Sequence, residues 1–244
     1  KDGQLDDSFG VGGVVNTPIA AVAVPPANPA TAVPIEFPRG VVVQSDGKIV
    51  VAGFGKNDGS ITQAYRMDVL RLNANGSLDT TFNGTGAKLI AFPSSVQDRG
   101  YAVALQSDGK IVVSGDSRPG TGQPGAGSLQ FALARLNTDG SLDTSFDGDG
   151  LLTTLVGGGA AHAVLIDRIA GTDYIVAGGF DGASAFEIAR YTTSGALDTT
   201  FSSDGTMTAM FDSSQNTGEA MVVQTTTPAN HRYVLGGEIG SSGD

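Results

Sequence analysis

The chain has 244 residues, of which 36 are Gly and 40% are hydrophobic, a composition typical of one all-β unit with enough apolar residues for a core. It contains no Cys and only two His, which excludes disulfides, thiol nucleophiles, Cys-ligated metals and a three-His metal site. The formal net charge of −11 argues against nucleic acid as a partner. No apolar stretch approaches the roughly 20 residues of a membrane-spanning helix, so we expect no membrane insertion.

Three short motifs recur in the same order along the chain, and this repetition governs the fold. The first motif, Leu-Asp-x-Ser/Thr-Phe-x-x-x-Gly, begins at Leu5, Leu78, Leu142 and Leu197, so its copies are 73, 64 and 55 residues apart. The second reads Q-S-D-G-K-I-V-V-x-G at 44–53 and 106–115, with weaker copies at 172–178 and 231–237. The third precedes the first, at 69–77, 133–141 and 188–196.

Each repeat contains four short strand patterns, which the second repeat shows most clearly. Strands A and B lie at 102–106 and 110–115 and are joined by Ser-Asp-Gly, a tight-hairpin sequence. Strands C and D lie at 131–137 and 150–155. Four antiparallel strands in a repeat of about 60 residues predict an all-β fold, a β-propeller of four-stranded antiparallel blades. A β-sandwich built of duplicated units is the structural alternative.

We expect a single domain over 1–244 with about four repeats. The predicted boundaries lie near 38–98, 99–159 and 160–217, with partial units at 1–24 and 218–244. Four B strands occur but only three C strands, which leaves two interpretations open. The chain forms a four-bladed ring whose last blade takes strand D from the amino-terminal end, or it is a fragment of a larger propeller. We favour the second, because a missing C strand would leave a gap inside that blade.

Four segments depart from the repeat pattern. Residues 25–38 are rich in Pro, which predicts a semi-rigid extended loop, and residues 116–128 predict a mobile Gly- and Pro-rich insertion. In the last two A–B hairpins, residues 167–173 and 225–232 replace Ser-Asp-Gly, so we expect longer and differently shaped tips.

The combination LD-T-S/T-F-x-x-x-G, Q-x-D-G-K-I-V-V-x-G and A-R-L-N-x-D-G-S resembles the delta-60 repeat family, a bacterial β-propeller-like domain of unknown function. The resemblance covers nearly the whole chain. It implies a propeller fold and an extracellular or cell-surface location, and it implies no reaction.

Residues that are identical in every repeat are expected to do the same structural work in each. Three Arg residues on strand C each precede an Asp by eight positions, which predicts a forked, bidentate Arg–carboxylate pair that holds the C–D connection. These pairs are Arg71 with Asp79, Arg135 with Asp143, and Arg190 with Asp198. The Phe of the first motif is expected to anchor neighbouring blades.

Positions that differ between repeats are better candidates for function. When the A strands are aligned on Ala102 and Gln106, the residue that directly precedes the position of Ala102 differs in every copy. The four residues are Arg39, Tyr101, His162 and Glu219. Because strand A lines the centre of a propeller, we expect these side chains to share one opening and to form an asymmetric ligand site, away from the Arg–Asp pairs.

No catalytic or metal motif stands out, so we predict no cofactor, no metal and no catalytic residue. The turn at Asp147 and Asp149 invites a calcium site, but it lacks the ligand pattern of a calcium loop, and plain turn chemistry is the better interpretation.

We predict a non-enzymatic, extracellular or cell-surface binding or structural module with a glycan or protein partner. One alternative is a polysaccharide hydrolase or lyase, which two carboxyl groups roughly 5–10 Å apart in one pocket would favour. Another is a self-associating filament or surface-layer subunit, in which the open blade edge accepts a strand from a neighbour.

Overall fold

The computed structural model describes residues 3–17, 35–56, 65–182, 185–210, 216–227 and 230–239. The regular elements in these ranges are all β-strands, which confirms the predicted all-β fold. This part of the chain contains no helix that is long and apolar enough to cross a membrane. Most of the Pro-rich segment predicted at 25–38 lies outside the described residues.

The strands form three four-stranded sheets and one hairpin, each from consecutive strands, which we call blades 1 to 4. Blade 1 contains β1 (Ile35–Val43), β2 (Ile49–Lys56), β3 (Arg66–Leu72) and β4 (Ala87–Ile90). Blade 2 contains β5 (Ser95–Leu105), β6 (Ile111–Pro119), β7 (Gln130–Leu136) and β8 (Leu151–Thr154). Blade 3 contains β9 (Ala160–Ile169), β10 (Thr172–Phe180), β11 (Phe186–Tyr191) and β12 (Thr206–Ala209). Blade 4 contains β13 (Asn216–Thr227) and β14 (Asn230–Ile239).

All pairings within the blades are antiparallel, and the four strand patterns predicted in the second repeat correspond to β5–β8. The Ser-Asp-Gly turn of this blade places Gly109 at φ 84°, a left-handed conformation that favours Gly. The third hairpin differs from the expectation of a longer tip. Its strands extend further, and Ile169 pairs with Thr172 around a two-residue turn, so the extra residues lengthen the ladder.

The mobile insertion predicted from residue 116 is wrong in its first part. Residues 116–119 continue strand β6, and the side chains of Asp116 and Ser117 are 0% and 1% exposed. Their polarity suggests a loop in the sequence. The structure buries them because Ser117 donates to Asp98 Oδ1 at 2.7 Å and Tyr101 donates to Asp116 Oδ2 at 2.8 Å.

The hydrophobic core lies between the blades, as their alternating apolar faces require. One cluster joins the face of blade 1 that contains Val50 and Val69 to the face of blade 2 that contains Val103 and Val113. A second cluster joins blades 2 and 3 in the same manner. Phe82 and Phe146, from the first motif, are fully buried in these two clusters, in agreement with the predicted anchoring role.

The amino-terminal copy of the first motif lies against blade 1. Phe9 packs against the cluster around Leu70 and Leu72, and Gly10 N–H donates to the carbonyl of Asn75 at 2.8 Å. The copy in blade 2 makes the equivalent bond to blade 3, from Asp147 N–H to Ser194 O at 2.9 Å. The first repeat motif therefore docks on the next blade in the same way as the complete copies do.

Candidate functional site

The A–B hairpin of every blade contains a β-bulge at the same place. Pairing shifts by one residue between Pro38 and Gly40, between Gly100 and Ala102, opposite Gly178–Phe180, and between Gly218 and Ala220. The residues held in these bulges are Arg39, Tyr101, His162 and Glu219. A bulge leaves one residue unpaired and turns its side chain to a new direction. The predicted positions are therefore structurally equivalent, and the bulge is the device that presents them.

These four side chains line one cavity of about 500 Å³, which we call the mouth cavity. They come from β1, β5, β9 and β13, the first strand of each blade. The structure thus brings together the four residues that repeat comparison selected. Whether a ligand occupies this cavity stays a prediction.

Each bulge lies opposite a Gly that cannot be replaced without conflict. A Cβ atom at Gly115 would overlap the main-chain oxygen of Arg99, and one at Gly237 would overlap that of Thr217. Gly53 and Gly179 face the carbonyls of Phe37 and Ala160 in the same way. Sequence reasoning missed this role, although a Gly ends three copies of the second motif at this position and directly follows the remaining copy, as Gly179.

Tyr101 is fixed from behind by buried polar groups. Its hydroxyl donates to Asp116 Oδ2 at 2.8 Å, and Arg99 Nη2 lies 2.9 Å from the same oxygen. Burial, together with the neighbouring Asp116 carboxylate, raises the pKa of Tyr101, so its hydroxyl stays protonated at neutral pH. The hydroxyl is thus committed to Asp116, and the ring is the part of Tyr101 that a ligand can use. The sequence analysis did not single out Arg99 or Asp116 as part of this site.

His162 links two of the other mouth residues. Its ring centroid lies 4.4 Å from that of Tyr101, with an angle of 57° between the ring planes. Its Nδ1 lies 3.1 Å from Glu219 Oε2. The Glu219 side chain is 52% exposed and that of His162 is 19% exposed. The site therefore combines a hydrogen-bonded imidazole–carboxylate pair with a solvent-facing acceptor.

Aromatic rings continue from these residues across three blades. The ring series runs Phe37, Phe54, Tyr101, His162, Phe180, with centroid separations of 5.0, 5.8, 4.4 and 5.2 Å. Such offset and edge-to-face contacts stabilise each other beyond simple burial. Sequence reasoning missed this series, because its members lie on different strands and face one another only after the blades associate.

Arg39 extends the same series with a cation. Its guanidinium carbon lies 5.5 Å from the centroid of the Phe54 ring, within cation–π range. The mouth cavity thus has a cationic group at one side, from blade 1, and a carboxylate from blade 4.

The predicted Arg–Asp pairs form, but their geometry differs from the expected fork. Arg71 Nε donates to Asp79 Oδ2 at 2.7 Å, and the same bond recurs at 2.8 Å for Arg135 with Asp143 and at 2.7 Å for Arg190 with Asp198.

The remaining guanidinium nitrogens have other partners, so the pair is not bidentate. Arg71 Nη2 donates to the hydroxyl of Thr81, and Arg71 Nη1 donates to the main-chain carbonyl of Thr138 in blade 2. The other Asp oxygen, Oδ1, accepts from the Thr81 hydroxyl and N–H instead. Each Arg therefore ties its own C–D turn to the following blade.

Burial alone would raise the pKa of Asp79, but the Thr81 hydrogen bonds, Lys48 and Arg71 outweigh it and lower the pKa to about 2.

The Arg–Asp pairs and the mouth cavity lie at different levels of the blades. Arg71 pairs across the sheet with Val50, whereas the bulge of Arg39 lies beside Gly53, three residues along β2. This is the separation that the repeat comparison predicted, with an identical scaffold at one level and variable residues at the other.

The acidic turn at Asp147 and Asp149 behaves as a turn. Asp149 Oδ1 accepts the N–H of Leu151 at 2.9 Å, and Asp147 adopts φ 51°. Burial and the neighbouring Asp149 raise the pKa of Asp147. Among the residues that the structure describes, no group of three or more His, Asp or Glu side chains is placed to hold a metal ion.

Consecutive four-stranded antiparallel blades that share one opening define a repeat-built β-propeller. Three segments, 44–82, 106–146 and 174–201, match the family described as a domain of unknown function (DUF5122) beta-propeller. These matches fall on the repeats of the chain, which confirms the predicted resemblance to delta-60 repeats. No curated protein matches the chain.

Proposed function

We propose that this β-propeller is a non-enzymatic binding module that holds a polar ligand, of which a glycan is the best candidate, in the mouth cavity. One observation carries the proposal: equivalent bulges in four blades deliver four different polar side chains to one cavity. A cation, a phenol ring, an imidazole and a carboxylate together offer donors, an acceptor and a ring face. This combination suits the hydroxyl groups and the apolar faces of a sugar.

The resemblance to surface-associated repeats supports an extracellular or cell-surface location for this module. Polysaccharides are abundant at cell surfaces, and they are polar ligands of the kind proposed. Fractionation of the producing cells, followed by detection of the chain with an antibody, would test the location separately from the binding.

Hydrolysis or elimination by paired carboxylates receives less support from the geometry. Among the described residues that line the mouth cavity, Glu219 is the one carboxylate. Asp116 lies nearby but is fully buried behind Tyr101, where it is already bonded to Tyr101 and Arg99. A glycosidase needs a second carboxyl group with access to the substrate, so the binding function is preferred.

The test is to screen the chain on an array of immobilised oligosaccharides and to measure the strongest hit by titration calorimetry. We expect His162→Ala and Glu219→Gln each to weaken binding about 5- to 50-fold, the range expected when one or two hydrogen bonds are lost. Arg232→Ala and Glu238→Gln are matched controls, because both residues are exposed on β14 and do not line the cavity. These controls should bind like the parent.

Two results would contradict the proposal. One is the absence of any array hit that depends on His162 or Glu219. The other is cleavage of the bound oligosaccharide on prolonged incubation, detected by chromatography, which would support the hydrolase or lyase instead.

A further inference from the structure

Arg39 differs from the other charged groups of the mouth cavity in having no polar partner. Its guanidinium carbon lies 5.5 Å from the centroid of the Phe54 ring, and within the described part of the chain the group makes no hydrogen bond or ion pair. Among the described residues, six of the nine Arg side chains form an ion pair with an Asp. The N–H donors of Arg39 are therefore available to a ligand.

The Arg39 side chain is directed into the mouth cavity. It lies over Phe54, whose ring contacts the ring of Tyr101 in blade 2 at a centroid separation of 5.8 Å. Arg39 and Tyr101 line the same cavity. A group that binds to the Arg39 guanidinium would therefore lie inside this cavity, near the Tyr101 ring.

The other charged groups at the cavity already have partners. Arg99 donates from Nε to Asp116 Oδ1 at 3.2 Å, and its Nη2 lies 2.9 Å from Asp116 Oδ2. Glu219 Oε2 lies 3.1 Å from His162 Nδ1. Among the described residues that line the cavity, Arg39 is thus the charged group that only a ligand can pair. Because this group is a cation, the complementary ligand group is an anion.

We propose that the mouth ligand is an acidic saccharide, whose carboxylate or sulfate group accepts hydrogen bonds from the Arg39 guanidinium. This inference rests on the proposed glycan-binding function and specifies the class of glycan. A guanidinium matches such an anion with two parallel N–H···O bonds, which a neutral sugar cannot accept at the same strength. The negative charge of Glu219 on blade 4 then orients the ligand, because it repels the anionic group and accepts hydrogen bonds from hydroxyl groups.

Titration calorimetry with pairs of trisaccharides tests the proposal. The first arm uses trisaccharides of galacturonic, glucuronic and mannuronic acid, each as the free acid and as its methyl ester, which removes the charge and keeps the sugar. The second arm uses a sulfated trisaccharide and its desulfated form. We expect at least one charged form to bind about 5- to 20-fold more tightly than its neutral counterpart, the effect of a charge-assisted hydrogen bond weakened by solvent. The arm that shows this preference identifies the anion as carboxylate or sulfate.

Arg39→Gln should abolish the preference by weakening the charged form alone, while the neutral form binds as it does to the parent. Arg232→Gln is the matched control, because Arg232 is exposed on β14 and does not line the cavity. This control should keep the full preference, and circular dichroism should show that both variants are folded.

Three results would overturn the inference and leave the proposed function intact. The first is equal affinity of the parent for the charged and neutral forms. The second is a preference for the charged form that persists in Arg39→Gln. The third is tighter binding of a cationic glucosamine trisaccharide than of any acid, which would make Glu219 the dominant charge. If no saccharide binds, charged or neutral, the proposed function itself fails, and this inference fails with it.

Discussion

Arg135 in blade 2 donates a hydrogen bond from Nη1 to the main-chain carbonyl of Thr193, 58 residues further along in blade 3. The same guanidinium holds Asp143 through Nε and Ser145 through Nη2, and its carbon lies 4.7 Å from the centroid of the Phe146 ring. One buried side chain therefore fixes the C–D turn of its own blade and joins that turn to the next blade. The repeated Arg is an inter-blade connector, which a pattern of local spacing alone did not predict.

Arg135→Ala is expected to destabilise the protein by about 3–5 kcal/mol, because it leaves the buried Asp143 carboxylate without its cation. Urea unfolding followed by circular dichroism measures this loss. Arg232→Ala is the control, since Arg232 lies at an exposed position on β14. A substitution at such a surface position changes the free energy of unfolding by about 0.5 kcal/mol or less. Equal midpoints for the two variants would disprove the connector role.

The Gly residues opposite the bulges provide a second prediction. Gly115→Ala places a Cβ against the carbonyl of Arg99, so the bulge that presents Tyr101 must open or shift. We expect a loss of roughly 2–4 kcal/mol, comparable to other strained core changes. Gly236→Ala is the control, because the nearest atom to its Cβ, the oxygen of Ala220, is 4.0 Å away. Thermal melts compare the two, and a Gly115→Ala variant as stable as Gly236→Ala would refute the account of the bulge.

Repeat comparison predicted the blade architecture and the four mouth residues from sequence, for a physical reason. Equivalent strands in a repeat occupy equivalent places, so aligning the A strands on Ala102 and Gln106 placed Arg39 and Tyr101 in the same register. The alternation of apolar residues then determined which faces pack between blades. These are local or periodic properties, and they recur from blade to blade in the sequence.

The parts that sequence did not predict depend on contacts between distant strands. The sequence around Asp116 is typical of a polar loop. The side chain is nevertheless fully buried, because its carboxylate accepts hydrogen bonds from Tyr101 and Arg99 on the neighbouring strand. The ring contact between Tyr101 and His162 joins two blades, so neither local sequence contains it. The bulges belong to the same class, because they depend on which residue lies opposite.

Acid sensitivity is the third prediction. The Asp79 carboxyl has a pKa of about 2 in the folded state against an ordinary value of 3.8. Its stabilising contribution is therefore complete above about pH 4 and is lost as the pH falls towards 2. Asp79→Asn should remove on the order of 1–2 kcal/mol at pH 5 and much less at pH 2. Urea midpoints at the two pH values measure this difference, and an equal loss at both would contradict the ionic role.

The last prediction concerns Glu187 on β11, which is 3% exposed and accepts a 2.6 Å hydrogen bond from Thr208. Burial, reinforced by the charges of Asp181 and Asp204, raises its pKa to about 7 from 4.5, although the Thr208 bond opposes the shift. Because the folded state holds this proton more tightly than the unfolded state, folding is favoured at low pH, and that advantage disappears as the pH rises through 7.

Glu187→Gln keeps an acceptor for Thr208 and carries no charge. At pH 8 the free energy of unfolding of this variant should therefore exceed that of the parent by on the order of 2–3 kcal/mol, which raises its melting temperature. Near pH 4.5 we expect little gain. Glu238→Gln, at an exposed position on β14, controls for the general loss of one negative charge. A gain for Glu187→Gln that is the same at both pH values, or that Glu238→Gln reproduces, would show that the buried carboxylate is not the source of the effect.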